Sequence, residues 1–139
     1  MSQQYQLSFR SRVPYEDQEP GIAMRVVLRA GDEDFECLAR IDTGAVACLF
    51  QREVGESLGL DIEAGLPERF STLTGPLLAF GHEVTMQVAG LTYQTTVYFA
   101  KFYGLPRNLL GKLGWLQQIR FGLVDYDEMI YLSDYNDPA

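Results

Sequence analysis

From Gly21 onward the chain alternates apolar and polar positions. Ile22, Met24, Val26 and Leu28 fall on one side of an extended segment and Arg25 and Arg29 on the other, the period-two pattern of a half-buried strand. Ala30-Gly31-Asp32-Glu33-Asp34 reads as a turn, and the return strand places Phe35, Cys37, Ala39 and Ile41 on one face before ending at Asp42. The period then changes: Phe50, Val54 and Leu58 recur every fourth residue, with Gly59 where a C-terminal cap belongs, which predicts one short helix. Leu60 to Pro67 reads as loop, and Arg69 to Leu73 is extended and meets a turn signal at Gly75-Pro76. The chain returns through Leu77, Leu78 and Phe80. A second arm then carries Val84, Met86 and Val88, followed by a turn at Gly90 and a strand with Tyr93, Thr95, Val97 and Phe99.

The last third runs from Pro106 through Leu109 and Leu110, with a short helix expected to about Gln118. Two strands follow, Arg120 to Val124 and Met129 to Leu132, around a turn at Asp125-Tyr126-Asp127-Glu128. At the other end, Tyr5 to Phe9 is strand-like, whereas Ser11 to Pro20 is polar and punctuated by proline. The expected organisation is an arm or loop over residues 1–20, a single all-β domain over 21–132, and a loose acidic tail over 133–139. No internal repeat or second domain boundary is visible.

Composition narrows the classes of function. A chain of 139 residues, 47% of them apolar, has the length for one hydrophobic core and too much apolar content for a disordered segment. The net charge of −8 and the scattering of the 11 Lys and Arg residues argue against a nucleic-acid partner. No apolar run approaches the roughly 18–20 residues of a membrane span, and none resembles a secretory leader, so no membrane partner and a cytoplasmic location are expected. Cys37 and Cys48 lack the spacing of a zinc or redox motif and read as small, partly buried hydrophobes, and no metal or cofactor is expected. A Ser-His or Cys-His mechanism would rest on His82, the single histidine, which has no nucleophile turn near it and reads as a surface or hinge residue.

The stretch Arg40-Ile41-Asp42-Thr43-Gly44-Ala45-Val46 carries the chemistry. An apolar, period-two strand ends abruptly in a carboxylate, a hydroxyl and a glycine. A carboxylate at a buried strand end is costly unless it is used, and the glycine permits a turn that a side chain would block. Alone, Asp-Thr-Gly arises by chance in roughly a few per cent of chains of this length. Its meaning depends on what accompanies it.

Downstream stands Asn108-Leu109-Leu110-Gly111-Lys112-Leu113-Gly114-Trp115, and between the two lies Ser71 to Phe80. In that order the chain resembles the retropepsin-like aspartic proteases, the single-domain class that includes the retroviral proteases, over roughly Gly21 to Leu132. Ile41-Asp42-Thr43-Gly44-Ala45 resembles the family's catalytic loop, the Leu109-Leu110-Gly111 run its hydrophobic-hydrophobic-glycine signature, and Ser71 to Phe80 its flap hairpin. The resemblance implies an all-β, closed, mostly antiparallel fold with a short C-terminal helix and one half-site per chain. It implies Asp42 as the catalytic carboxylate, Thr43 as a hydrogen-bonding link to the partner loop, and Gly44 as the point where substrate backbone lies close. Ala45 and the flap residues Leu73, Thr74, Gly75, Pro76 and Leu77 would then bind substrate.

Such chemistry uses two carboxylates sharing a proton, and the remaining aspartates of this chain lie in turns or the tail. The resemblance therefore implies a C2 homodimer with Asp42 of each copy on the axis, acting as an aspartic endopeptidase on peptide or protein substrates. A catalytically weak dimeric peptide-binding module with the same fold is the alternative. Val46 and Lys112 stand where many retroviral members carry an Asp and an Arg that form an ion pair, and losing both partners leaves no orphaned charge. Retroviral dimers interleave their chain ends in a sheet; here an acidic tail follows Leu132, which leaves open a dimer contact built differently.

Overall fold

The computed structural model describes residues 2–15 and 21–138. In these the strands are β1 (Ser11–Pro14), β2 (Ala23–Ala30), β3 (Glu33–Ile41), β4 (Leu49–Phe50), β5 (Leu66–Thr72), β6 (Gly75–Val88), β7 (Leu91–Ala100), β8 (Asn108–Leu110), β9 (Ile119–Val124) and β10 (Met129–Asp134), with one helix, α1 (Arg52–Ser57). Seven strands lie in the order β2-β3-β8-β4-β7-β6-β5, and β2 also pairs with β6. Six strands thus close on themselves, leaving β5 outside as an edge. The length of β6 makes the closure possible. Its first half pairs with β5 from Gly75 to Gly81, and its second half pairs with β2 from Thr85 to Val88. The β3–β8 and β4–β7 pairs are parallel; β2–β3, β2–β6, β4–β8, β5–β6 and β6–β7 are antiparallel.

The alternation read from the sequence is the alternation of burial. Met24, Val26 and Leu28 point into one core with Val84, Met86, Val88, Val97, Phe99 and Trp115, while Arg25 and Arg29 face solvent. Each such side chain contributes about 1.5–3 kcal/mol by leaving water. A one-residue slip of β2 would expose Val26 and Leu28 and bury two guanidinium groups, so the register is strongly specified. Helix α1 packs Val54 and Leu58 on this core and stops at Gly59, whose φ of +76° is the left-handed cap conformation that glycine adopts freely. No helix among the described residues is long and apolar enough to cross a membrane.

Several boundaries differ from the sequence expectation. Tyr5 to Phe9 is not a strand: Tyr5 and Leu7 stay exposed, and Phe9 packs its ring on Tyr131. The strand forms instead at Ser11–Pro14, where the open edge of β10 supplies partners from Leu132 to Met129. The rest of the expected arm, residues 16–20, lies outside the described residues. The segment after Leu132 is not loose at its start. β10 continues through the buried Ser133 to Asp134, the Tyr135 N–H donates to the Gln118 carbonyl, and Arg10 pairs with Asp137. The helix expected near Gln118 is a single 3-10 turn, Leu116–Gln118, held short by the start of β9 at Ile119. β1, β10 and β9 form a separate three-stranded sheet with β10 in the middle.

Candidate active site

β8 lies between β3 and β4, parallel to the first and antiparallel to the second. The loop that joins β3 to β4 must therefore arch over the end of β8, and this loop is Asp42 to Cys48. Backbone hydrogen bonds lace it down. The Asp42 N–H donates to the Leu110 carbonyl at 2.9 Å, the Lys112 N–H to the Ala45 carbonyl at 2.9 Å, and the Leu113 N–H to the Val46 carbonyl at 2.8 Å. Gly111 sits where the two segments touch. A Cβ there would fall 2.2 Å from the Ala47 carbonyl oxygen, inside any permitted contact, so the glycine is required by close approach of two backbones.

Within the loop the Gly44 N–H donates to Asp42 Oδ1 at 2.9 Å, and the Ala45 N–H donates to the Asp42 carbonyl at 3.1 Å. The carboxylate is thereby held in one orientation while remaining half-buried. Gly44 does not have a positive φ; a Cβ there would lie 3.3 Å from Asp42 Oδ1, so its role is to leave the face of the carboxylate open. Beneath the loop, Cys48 Sγ accepts the Gly111 N–H at 3.4 Å. Burial pushes the Cys48 thiol up to about 11, opposed in part by that N–H. Asn108 is buried and fully used: its Nδ2 donates to the Leu38 carbonyl at 2.9 Å and its Oδ1 accepts the Gln51 N–H at 2.8 Å, tying β3 and β8 to the start of α1.

Asp42 opens into a cleft of about 1290 Å³. The β5–β6 hairpin forms one wall, with Thr72 opposite Gly75 and the Thr72 hydroxyl donating to the Gly75 carbonyl at 2.6 Å. Phe70 and Tyr98, whose rings meet edge-on with centroids 5.2 Å apart, line its interior. The other wall is the loop between β7 and β8, from Phe102 to Arg107. Helix α1 anchors this loop. Arg52 Nη1 donates to the Lys101 carbonyl at 2.8 Å, Gln51 Nε2 to the Leu105 carbonyl at 2.8 Å, and the Tyr103 hydroxyl to Glu56 at 2.7 Å. Arg52 also grips both oxygens of Glu63 at 2.7 Å, which holds that carboxyl below its ordinary range.

No family model and no curated protein sequence matches the chain. Solved structures do. The chain is similar to the crystal structure of a retropepsin-like aspartic protease from Rickettsia conorii, with a TM-score of 0.62 and 14% identity, covering 88% of this chain and 97% of the other. It is also similar to EIAV protease complexed with the inhibitor HBY-793, with a TM-score of 0.53 and 19% identity, covering 69% of this chain and 86% of the other. The fold is retropepsin-like.

In this retropepsin-like fold the residues singled out from sequence fall largely together. Asp42, Gly44, Ala45, Leu73, Thr74, Pro76 and Leu77 line the cleft. Thr43, exposed beside it, and Gly75, in the hairpin, are not among the lining residues. The hairpin turns at Leu73-Thr74, not at Gly75-Pro76, because the Thr72 hydroxyl closes the turn two residues earlier. His82 lies within β6, its Nε2 2.9 Å from the Ile62 carbonyl and its ring against Phe99, a packing position away from Asp42. Sequence reasoning missed the wall from Phe102 to Arg107. The signal was present in Phe102-Tyr103 followed by Gly104-Leu105-Pro106, two large aromatic residues in a segment with no alternation to bury them.

Proposed function

We propose that the chain is one half of an aspartic endopeptidase that completes its site as a homodimer. The observation that carries this reading is the Asp42 carboxylate, oriented by the Gly44 N–H at the mouth of a cleft walled by the β5–β6 hairpin. Among the described lining residues the other carboxylate is Glu68, in the body of β5, and no hydrogen bond joins it to Asp42. A second copy meeting the first at the Asp42 loop supplies the missing carboxylate. Support for that contact comes from Val46 in the loop and Leu113 beside it, 61% and 46% exposed, and from the exposed Thr43. β10 already has β1 and β9 on its two edges, so a dimer sheet would use the outer edges of β1 or β9, or no terminal strands at all.

Two carboxylates held together cannot both ionise, so one is a base and its partner an acid at the same pH. The base takes a proton from a water molecule as its oxygen attacks the scissile carbonyl carbon, and the acid gives its proton to the carbonyl oxygen. Collapse of the tetrahedral diol breaks the C–N bond, with a proton delivered to the departing nitrogen. The β5–β6 hairpin covers the site, and the apolar lining from Phe70, Leu77 and Tyr98 favours an extended peptide with an apolar centre. The test is incubation of the purified chain with a diverse peptide library from acid to neutral pH, read by mass spectrometry. Cleavage lost in Asp42→Asn supports the enzyme; peptide binding with no cleavage in either protein identifies a binding module instead.

A further inference from the structure

The charged residues that line the cleft are Arg40, Arg69 and Arg107 against Asp42 and Glu68, in a chain whose net charge is −8. The cleft is thus locally positive on an acidic protein. Arg40 is occupied, packing its guanidinium against Gly21. Arg69 and Arg107 differ: both are exposed, and no hydrogen bond or ion pair among the described residues engages either side chain. With 19 Asp and Glu in the chain, carboxylate partners are plentiful, and Arg25, Arg29 and Arg52 each have one. Of the three arginines that line the cleft, these two are available.

Their mounting is firm. Arg107 lies between Leu105, whose carbonyl accepts Gln51 Nε2, and Asn108, whose side chain is hydrogen-bonded on both sides. Arg69 sits in β5 opposite Leu78, across the cleft from that loop. A guanidinium delivered from a fixed base loses less freedom on binding than one on a loose loop. Guanidinium groups recognise carboxylates by paired N–H donors. The overall negative charge repels a polyanion at long range, which favours isolated acidic side chains over a phosphate backbone.

We propose that the cleft selects peptides with acidic side chains flanking an apolar centre, and that Arg69 and Arg107 determine this specificity. The proposal rests on the endopeptidase reading, and its test separates the two. Two peptides with the same apolar centre, one flanked by Glu and the other by Gln, are presented to the wild-type chain, Arg69→Gln, Arg107→Gln and the double variant. Cleavage is measured as kcat and KM, and binding is measured separately by fluorescence anisotropy on Asp42→Asn with and without the two arginine changes.

The Glu peptide is expected to be favoured about five-fold per arginine, the upper range for an exposed ion pair. The preference should lie in KM, shrink at high salt and vanish in the double variant. Equal treatment of the two peptides, or a preference that survives in the double variant, overturns the proposal even if both peptides are cut. If neither is cut, the endopeptidase reading fails, and the Glu-over-Gln binding ratio on Asp42→Asn still decides the arginine assignment: a ratio lost with both arginines upholds it, and a ratio of one overturns it.

Discussion

The Asp42 N–H donates to the Leu110 carbonyl at 2.9 Å, joining the residue that follows β3 to the last residue of β8. This bond sets where the carboxylate stands, because β8 is itself clamped between β3 and β4. The next residue, Gly111, is the tightest point of the junction. Gly111→Ala would push a methyl group to 2.2 Å from the Ala47 carbonyl oxygen. The expected cost is about 3 kcal/mol, a fall of roughly 10 °C in Tm by calorimetry. An unchanged Tm would mean that the two backbones are not packed as described.

In the proposed endopeptidase the tip of the β5–β6 hairpin would meet the substrate. Leu73 is 108% exposed at the turn, so it contributes nothing to the core. Leu73→Ser is expected to leave Tm within about 1 °C, as for other exposed sites, and to raise KM for an apolar-centred peptide with kcat altered less. A drop in Tm with no change in KM would remove the hairpin from the binding surface.

The anchored wall has an acid limit. Glu63 is held below its unfolded value of 4.5, first by the hydrogen bonds from Arg52. A depressed carboxyl stabilises the fold above its unfolded value and loses that contribution as pH falls through the folded one. The wall from Lys101 to Arg107 should therefore loosen below pH 4.5 and not above it. Amide NMR signals of these residues, followed from pH 7 to pH 3, test this, and Glu63→Gln should show the loosened signals already at pH 7. Signals unchanged in Glu63→Gln would show that Glu63 does not hold the loop.

Both thiols should be silent in the native chain. Burial raises Cys48 to about 11 and Cys37 to about 12, the latter helped by the nearby Glu36 charge. The neutral thiol is the stable form in the fold, so this contribution is intact below the unfolded value of 9 and is lost as pH rises from 9 toward about 11 for Cys48 and about 12 for Cys37. A thiol-counting reagent at pH 8 should find no rapidly reacting thiol in the native chain and both in denaturant. A fast native reaction at Cys48 would place it outside the core described above.

Much of this architecture was legible in the sequence, and each exception has a physical cause. The β2–β3 hairpin and α1 were visible because Met24, Val26 and Leu28 alternate and Gly59 caps. The Asp42 loop and its Leu109-Leu110-Gly111 partner were visible as motifs in order. β1 was not, since Ser11-Arg12-Val13-Pro14 has no apolar face of its own and is extended only because β10 offers an edge. The wall from Phe102 to Arg107 showed only as aromatics without alternation, and its place in the fold was not legible because its anchors, Gln51 just before α1 and Arg52 and Glu56 within it, lie far earlier in the chain. Gly75-Pro76 misplaced the hairpin turn because the deciding group is a side chain, the Thr72 hydroxyl.

The proposed dyad requires two copies of Asp42 to act together. If the chain pairs as proposed, wild-type and Asp42→Asn chains, unfolded together in equal amounts and refolded at fixed total concentration, will form like and mixed dimers. If each dimer needs both carboxylates, peptidase activity falls to about a quarter of that of the wild-type chain alone, since one dimer in four carries both. Activity of one half would show that each chain works by itself, and would rule out a dyad shared between two copies.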